Sequence, residues 1–399
     1  MKFVLAIFLI VIVAILGARI ISVKRRLPMG IHFLLLSGTG YIFLGAALGR
    51  MGLNFLDPET LGQFESFILF GLAWIGFLFG LQFEIKQLRN LPRYYFSITV
   101  IQAIITFCVV FIPVFLFLKK YGGIDNKTAL TASLVLASTA CCTAPAALAL
   151  VANLYKLKNR GLLELLRYIS SVDSLVGLFF FTLALCINLG GYNREFSLAV
   201  SGKWLLVSTG IGMLCAGILY ALSKSRYSQT EFLLFLIGTV LFGAGLTFKI
   251  NHSPLVTGIV CGFLLANMSH SRMRALTTAL HAERSIYVVL LFLLGAGWSF
   301  EFNFGIILII LYFCMRVLGK TAGAWTATRV FRPNYKVPAT LGLGLVSEGG
   351  LAVAMIINYK LLAGARLADL IVTVIIFSVI LSEITGPNLI LKLFPEREK

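Results

Sequence analysis

Residues 128–187 read TALTASLVLASTACCTAPAALALVANLYKLKNRGLLELLRYISSVDSLVGLFFFTLALCI. Two membrane-length apolar runs lie here, joined by a short basic connection. The first is interrupted by Ser138-Thr139-Ala140-Cys141-Cys142-Thr143-Ala144-Pro145. A proline inside an apolar helix frees backbone carbonyls, which are tolerated only against protein or a cavity. The second run carries a carboxylate, Asp173, about ten residues from its start, or ~15 Å along a helix. A charge at that depth costs at least ~2.5 kcal/mol, so it must face a partner or a watery cavity, and it is a functional candidate by default. A carboxylate, freed carbonyls and the hydroxyls of Ser138, Thr139, Thr143, Ser170 and Ser174 offer hard oxygen donors to a monovalent cation. The same carboxylate can bind a proton instead. The competing reading of Asp173 is a carboxylate locked to a basic neighbour.

The composition excludes a soluble domain. Of the 399 residues, 59% are hydrophobic and 13% charged, and the mean hydropathy is +0.95. A run of about 20 apolar residues spans a bilayer, and such runs recur to the end of the chain. A net charge of +18 suggests nucleic acid at first sight. The Lys and Arg, however, sit in short clusters between apolar runs, as topology determinants do, and form no basic stripe. The seven cysteines all fall inside apolar runs without CxxC or Cys/His spacing, so neither a disulfide framework nor a structural metal is indicated. The four histidines (32, 252, 270 and 281) fall near span ends. With neither HExxH nor a buried Ser/His pairing, there is no sign of an intramembrane protease or any other enzyme.

About thirteen spans are expected, near 3–22, 31–49, 65–83, 94–118, 128–154, 162–189, 201–222, 229–248, 253–268, 285–300, 305–328, 337–358 and 367–391. The basic cluster Lys24-Arg25-Arg26 follows the first apolar run, the order of a retained anchor with its N-terminus outside. Alternate connections then hold about 21 Lys and Arg on the inner side against about 10 outside. This bias supports an outer N-terminus and a cytoplasmic C-terminus.

Internal symmetry points to the same place. The third span ends Gly80-Leu81-Gln82-Phe83-Glu84 and the tenth Gly297-Trp298-Ser299-Phe300-Glu301, both GxxFE. Seven spans apart, they cross in opposite directions. The interrupted fifth span then pairs with the twelfth, whose Gly342–Gly350 stretch LGLGLVSEGG (341–350) is a second break. Two broken helices meeting near the midplane are the expected form of an inverted-repeat transporter site.

Three further charges lie in that region. Arg316 and Lys320, four apart, share a face of the eleventh span. Lys320 falls broadly level with Asp173 and is read as a site residue. Arg316 is read either as a structural partner or as the group that neutralises carbonyl dipoles at a break. Glu348, in the second break, is read as a counter-charge, a gate or a structural acid, and Pro145 as part of the gate at the first. Glu383, near the inner end of the last span, is expected to be interfacial or paired. Glu65 and Arg19 sit near span ends, where a charge reaches the interface.

These stretches resemble the monovalent cation:proton antiporter superfamily (the sodium/hydrogen exchanger family), especially its bacterial Kef-like and Nha/Nap-like branch. The residues that carry the likeness are GLAWIGFLFGLQFE (71–84), the polar break before Pro145, YISSVDSLVGL (168–178), RVLGK (316–320) and LGLGLVSEGG (341–350). Together they cover about residues 28–391. The resemblance implies an all-α polytopic membrane protein with inverted repeats and two crossed discontinuous helices. It covers a transporter domain at 28–391; the order of charges and apolar runs read above sets before it an expected anchor at 1–27 and after it a short cytoplasmic tail at 392–399 with no regulatory domain expected. Within the transporter, core helices would occupy about 65–189 and 285–391, and panel helices that often dimerise about 3–49 and 201–268.

By the same resemblance, Asp173 matches the ion-binding aspartate and Lys320 the basic residue facing it. The implied activity is exchange of Na⁺ or K⁺ for H⁺ across the cell membrane by elevator-like alternating access. Proton and cation would compete for Asp173, with no cofactor, in a lipid-embedded homodimer. One departure stands out. Where electrogenic relatives carry Asp and electroneutral ones Asn, this chain has Val172, so the expected salt-bridge partner of Lys320 is missing and Glu348 becomes its candidate replacement. Two rival readings remain: a sodium-coupled organic-anion symporter of related fold, and a non-transporting receptor or structural derivative, for which Val172 is the motive.

Overall fold

Backbone groups have no water to bond in lipid, so a chain this apolar must satisfy them within helices. A computed structural model describes residues 2–19, 30, 33–34, 37–89, 91–157, 159–188, 198–224, 227–268, 272–299, 305–363, 366–394 and 397–398. Nearly all of them are helical. Apart from loops and turns, the described residues outside helices form a two-residue antiparallel pairing of β1 (Lys156–Leu157) with β2 (Arg397–Glu398). Among the described residues, eight helical segments are long and apolar enough to cross a membrane, and Val4–Leu16, Glu65–Leu81, Pro254–Met268 and Gly350–Leu362 are shorter apolar helices. Outward-facing apolar side chains such as Phe8, Phe179 and Leu206 are left exposed, as lipid contact allows. The Lys24–Arg26 cluster, the Arg19 side chain, His32, His270 and the Phe300-Glu301 end of the second GxxFE lie outside the described residues.

The helices that build the interior are α1 (Lys2–Arg19), α2 (Gly40–Leu48), α3 (Pro58–Gly62), α4 (Glu65–Leu81), α5 (Ile85–Arg89), α6 (Arg93–Tyr121), α7 (Asn126–Cys141), α8 (Pro145–Leu154) and α9 (Arg160–Asn188). They continue with α10 (Leu198–Ser223), α11 (Gln229–Lys249), α12 (Pro254–Met268), α13 (Arg272–Ala296), α14 (Gly305–Phe331), α15 (Gly350–Ala363) and α16 (Arg366–Leu393). The tenth expected span is part of α13, which starts well before residue 285 and ends at Ala296.

In lipid, close van der Waals contact has to replace the hydrophobic effect between helices, and small residues permit it. The signature stretch of α4 shows this directly. Gly76 and Gly80 face Gly258 and Gly262 of α12. A Cβ at Gly258 would lie 2.1 Å from the Ala73 carbonyl oxygen, and one at Gly80 would lie 2.3 Å from that of Ile259. The same device seats α14 on α6, where Gly319 and Gly323 rest on the backbone of Thr106 and Gln102. That contact turns Tyr312, Arg316 and Lys320 inward, and all three are fully buried.

Both expected breaks are present and they touch. Helix α7 runs through Cys141, so Ser138 and Thr139 belong to regular helix and the break itself spans Cys142–Ala144. Pro145 then starts α8, where its missing N–H costs nothing. In the second break a 3₁₀ turn, Leu341–Leu345, gives way to non-helical Val346–Gly349 before α15 begins. The Ala144 N–H donates to the Ser347 carbonyl at 2.9 Å, tying one break to the other.

Candidate functional site

The site forms where α9 and α14 flank the two breaks. Asp173 of α9 and Lys320 of α14 are both fully buried, and Nζ lies 2.8 Å from Oδ2. The ammonium has three protons and three acceptors: Asp173 Oδ2, Thr143 Oγ1 at 2.8 Å and the Cys141 carbonyl at 2.5 Å. Thr143 passes the interaction on, donating to the same Asp173 Oδ2 at 2.5 Å. The other carboxylate oxygen accepts from Ser174 Oγ at 3.2 Å. The freed carbonyl of the first break is thus a ligand of the cation that neutralises Asp173. Val172 does not leave Lys320 without an acid; Asp173 itself is the partner.

One turn away on α14, Arg316 makes a different arrangement. It donates to the Val346 carbonyl, to that of Cys142 at 2.9 Å and to that of Ser347 at 3.4 Å. Its Nε stands 3.8 Å from Glu348 Oε2. Glu348 therefore pairs with Arg316 and does not replace a partner of Lys320. Its oxygens accept from Tyr312 OH at 3.1 Å and Ser378 Oγ at 2.6 Å, and its backbone N–H donates to Ser382 Oγ at 3.1 Å. A single guanidinium covers the exposed carbonyl ends of both breaks, the geometry its planar fork allows and a lysine's point charge does not.

A cavity of about 300 Å³ reaches this site, walled by Thr143, Pro145, Ser170, Ser174, Glu348 and Glu383 among others. Asp173 stays just behind its wall, joined to it through Thr143 and Ser174. Of the sequence candidates, Asp173, Lys320, Thr143 and Ser174 come together. Arg316 and Glu348 form the neighbouring pair, and Ser170 and Pro145 contribute cavity wall. Ser138 bonds its own helix at the Leu134 carbonyl, 2.5 Å away, and Thr139 touches Tyr312 OH at 3.2 Å. Neither has a bond to Asp173 among the described residues. Tyr312, Ser378 and Ser382 were not anticipated, although their spacing of four from Arg316 and from each other marks shared helix faces. Glu383 is not interfacial: it is 2% exposed and faces the cavity.

Comparison with known proteins adds family and fold. The family described as "Sodium/hydrogen exchanger, transmembrane" matches residues 4–390. No curated protein matches the chain. Among solved structures, the chain is similar to the sodium proton antiporter MjNhaP1 from Methanocaldococcus jannaschii at pH 8. That likeness has 17% identity and a TM-score of 0.68, and it covers 99% of this chain and 100% of the other.

Proposed function

Because the chain belongs to the sodium/hydrogen exchanger family, and so exchanges cations for protons across a membrane, we propose that Asp173 is the seat for which cation and proton compete. The observation that carries this reading is the saturated Lys320 ammonium on Asp173 Oδ2. In this state the positive charge beside the aspartate belongs to the protein. An incoming Na⁺ or K⁺ takes that place through the cavity wall of Thr143 and Ser174, using Asp173, their hydroxyls and the Cys141 carbonyl as oxygen donors. Two positive charges cannot share one buried carboxylate cheaply. The proton that competes with the cation for Asp173 is therefore the one Lys320 holds against it, and Lys320 sheds that proton as the cation arrives. The exchange is then one for one and electroneutral. The touching breaks and the Arg316 clamp move with the site when access alternates.

The same reading sets the cavity at the cytoplasmic face of the cell membrane, with the N-terminus outside. It keeps residues 65–189 and 285–391 as the moving core, and panel helices from 3–49 and 201–268 as the contact between copies in a homodimer. Proteoliposome flux with Li⁺, Na⁺, K⁺ and Rb⁺, with and without a voltage clamp by ionophore, tests it. Cation-dependent proton movement insensitive to the clamp is expected. Transport that requires an organic anion, or no ion-dependent movement at all, defeats the proposal.

A further inference from the structure

A second acid stands on the wall of the same cavity, and the exchange just described does not use it. Glu383 lies on α16, 2% exposed. Its Oε2 accepts from Ser37 Oγ at 2.8 Å and from Thr39 Oγ1. Among the described residues it has no ion-pair partner and its Oε1 no hydrogen-bond donor. An ionised carboxylate buried without a cation is costly, and proteins ordinarily relieve that cost by keeping the group protonated.

The oxygens around Glu383 favour the same conclusion. Ser37 Oγ and Thr39 Oγ1 lie 2.8 Å apart, and each also approaches the Leu34 carbonyl, at 3.0 and 3.2 Å. With the two contacts to Glu383, five oxygen–oxygen contacts share only two hydroxyl protons. A further proton on the carboxyl relieves the deficit. Three of the five contacts, at 2.8, 2.8 and 3.0 Å, lie in the ordinary range for shared hydroxyl protons. Besides Glu383, the charged and titratable groups facing the same cavity are Glu283, Arg284 and Tyr287 of α13, Cys142 of the first break and Glu348 of the second. From the described residues Leu34, Ser37 and Thr39, hydroxyls and a carbonyl approach.

We propose that Glu383 is a proton-binding site of the transport cavity, separate from the Asp173–Lys320 pair, that takes up and returns one proton in each exchange cycle. This rests on the antiport reading above. When the cation displaces Lys320, an N–H bond of the ammonium breaks, its electron pair stays on nitrogen, and the proton passes through cavity water. The Glu383 carboxyl, protonated in the state shown, first releases its own proton to the cavity's aqueous side as that O–H bond breaks, and a new O–H bond then forms on the vacated carboxylate with the proton that Lys320 gave up. The shared wall, which carries Thr143, Ser174 and Glu383, supplies the route.

Two measurements test this. The pH profile of cation-dependent proton flux is compared for the native protein and Glu383→Gln. Expected are slower exchange, loss of one titration from the profile, and a half-saturating cation concentration within roughly twofold of native, the pattern of a lost step rather than lost binding. Infrared difference spectra across pH, taken on the purified protein without transport, are expected to show a protonated-carboxyl band that Glu383→Gln removes and Thr39→Val shifts. An unchanged profile together with an unchanged carboxyl band overturns the proposal. If the native protein moves no protons with cations, the antiport reading fails, while the infrared band still decides whether Glu383 titrates. If Glu383→Gln does not fold, the Thr39→Val and Ser37→Ala spectra decide, since a band insensitive to both is not Glu383.

Discussion

Two ion pairs sit one turn apart on α14 and do different jobs. Lys320 gives two of its protons to acceptors at the first break and the third to Asp173, at 2.8 Å. Arg316 spends its donors on three carbonyls and approaches Glu348 only at 3.8 Å. A lysine can lose its proton and retreat; an arginine cannot. On the proposed reading the first pair opens to an arriving cation, whereas the Arg316 guanidinium, bonded to carbonyls of both breaks, ties them together. The difference teaches that charge count alone does not identify a transport site. What identifies it is the pair able to change protonation beside a cavity.

Substitutions can break that comparison, starting with the acid. Asp173→Asn is expected to abolish cation-dependent proton movement in proteoliposomes while the protein still reconstitutes, because Lys320 can shed its proton and avoid an unpaired buried charge. Residual native-level flux would remove Asp173 from the mechanism. Lys320→Arg keeps the charge but cannot release it, so exchange should fall close to background. The larger side chain adds a packing penalty of about 1–3 kcal/mol, read as a modest loss in thermal unfolding in detergent.

On the other pair the expected effects move from activity to stability. Arg316→Met leaves Glu348 and three carbonyls uncovered, and a loss of about 3–5 kcal/mol is expected for such a broken buried pair. Thermal unfolding in detergent measures it; a stability like that of the native protein would contradict the clamp. Tyr312→Phe removes one donor from Glu348 and the hydroxyl partner of Thr139, worth about 1–3 kcal/mol if the acceptor is left unsatisfied. Its half-saturating cation concentration should stay close to native, which separates the two pairs most finely.

Much of this was legible in the chain. The intramembrane charges declare themselves because lipid makes each one expensive, so Asp173, Arg316, Lys320 and Glu348 stood out before any fold was known. Pro145 and the glycines of 342–350 announced the two breaks for a similar reason, since each disrupts a helix that lipid would otherwise require. Partner choice was less legible. Val172 suggested a missing mate for Lys320, yet helix rotation brings Asp173 itself to the ammonium. Its place near the inner end of the last span made Glu383 either interfacial or paired, but the hydroxyls of Ser37 and Thr39 fold over it instead. Tyr312, Ser378 and Ser382 were overlooked because an uncharged polar residue costs too little in an apolar run to attract notice.

The sequence by itself determined that the chain is a bundle of membrane helices with two interrupted spans and a few costly buried charges, because hydropathy and helix-breaking residues act locally. Only the tertiary structure decided which base answers which acid and, among the described residues, that Glu383 has none. Those outcomes depend on the rotation and depth of helices α9, α14 and α16, set by glycine contacts such as that of Gly319 on Thr106. Local composition does not encode contacts between residues 147 positions apart, as Asp173 and Lys320 are.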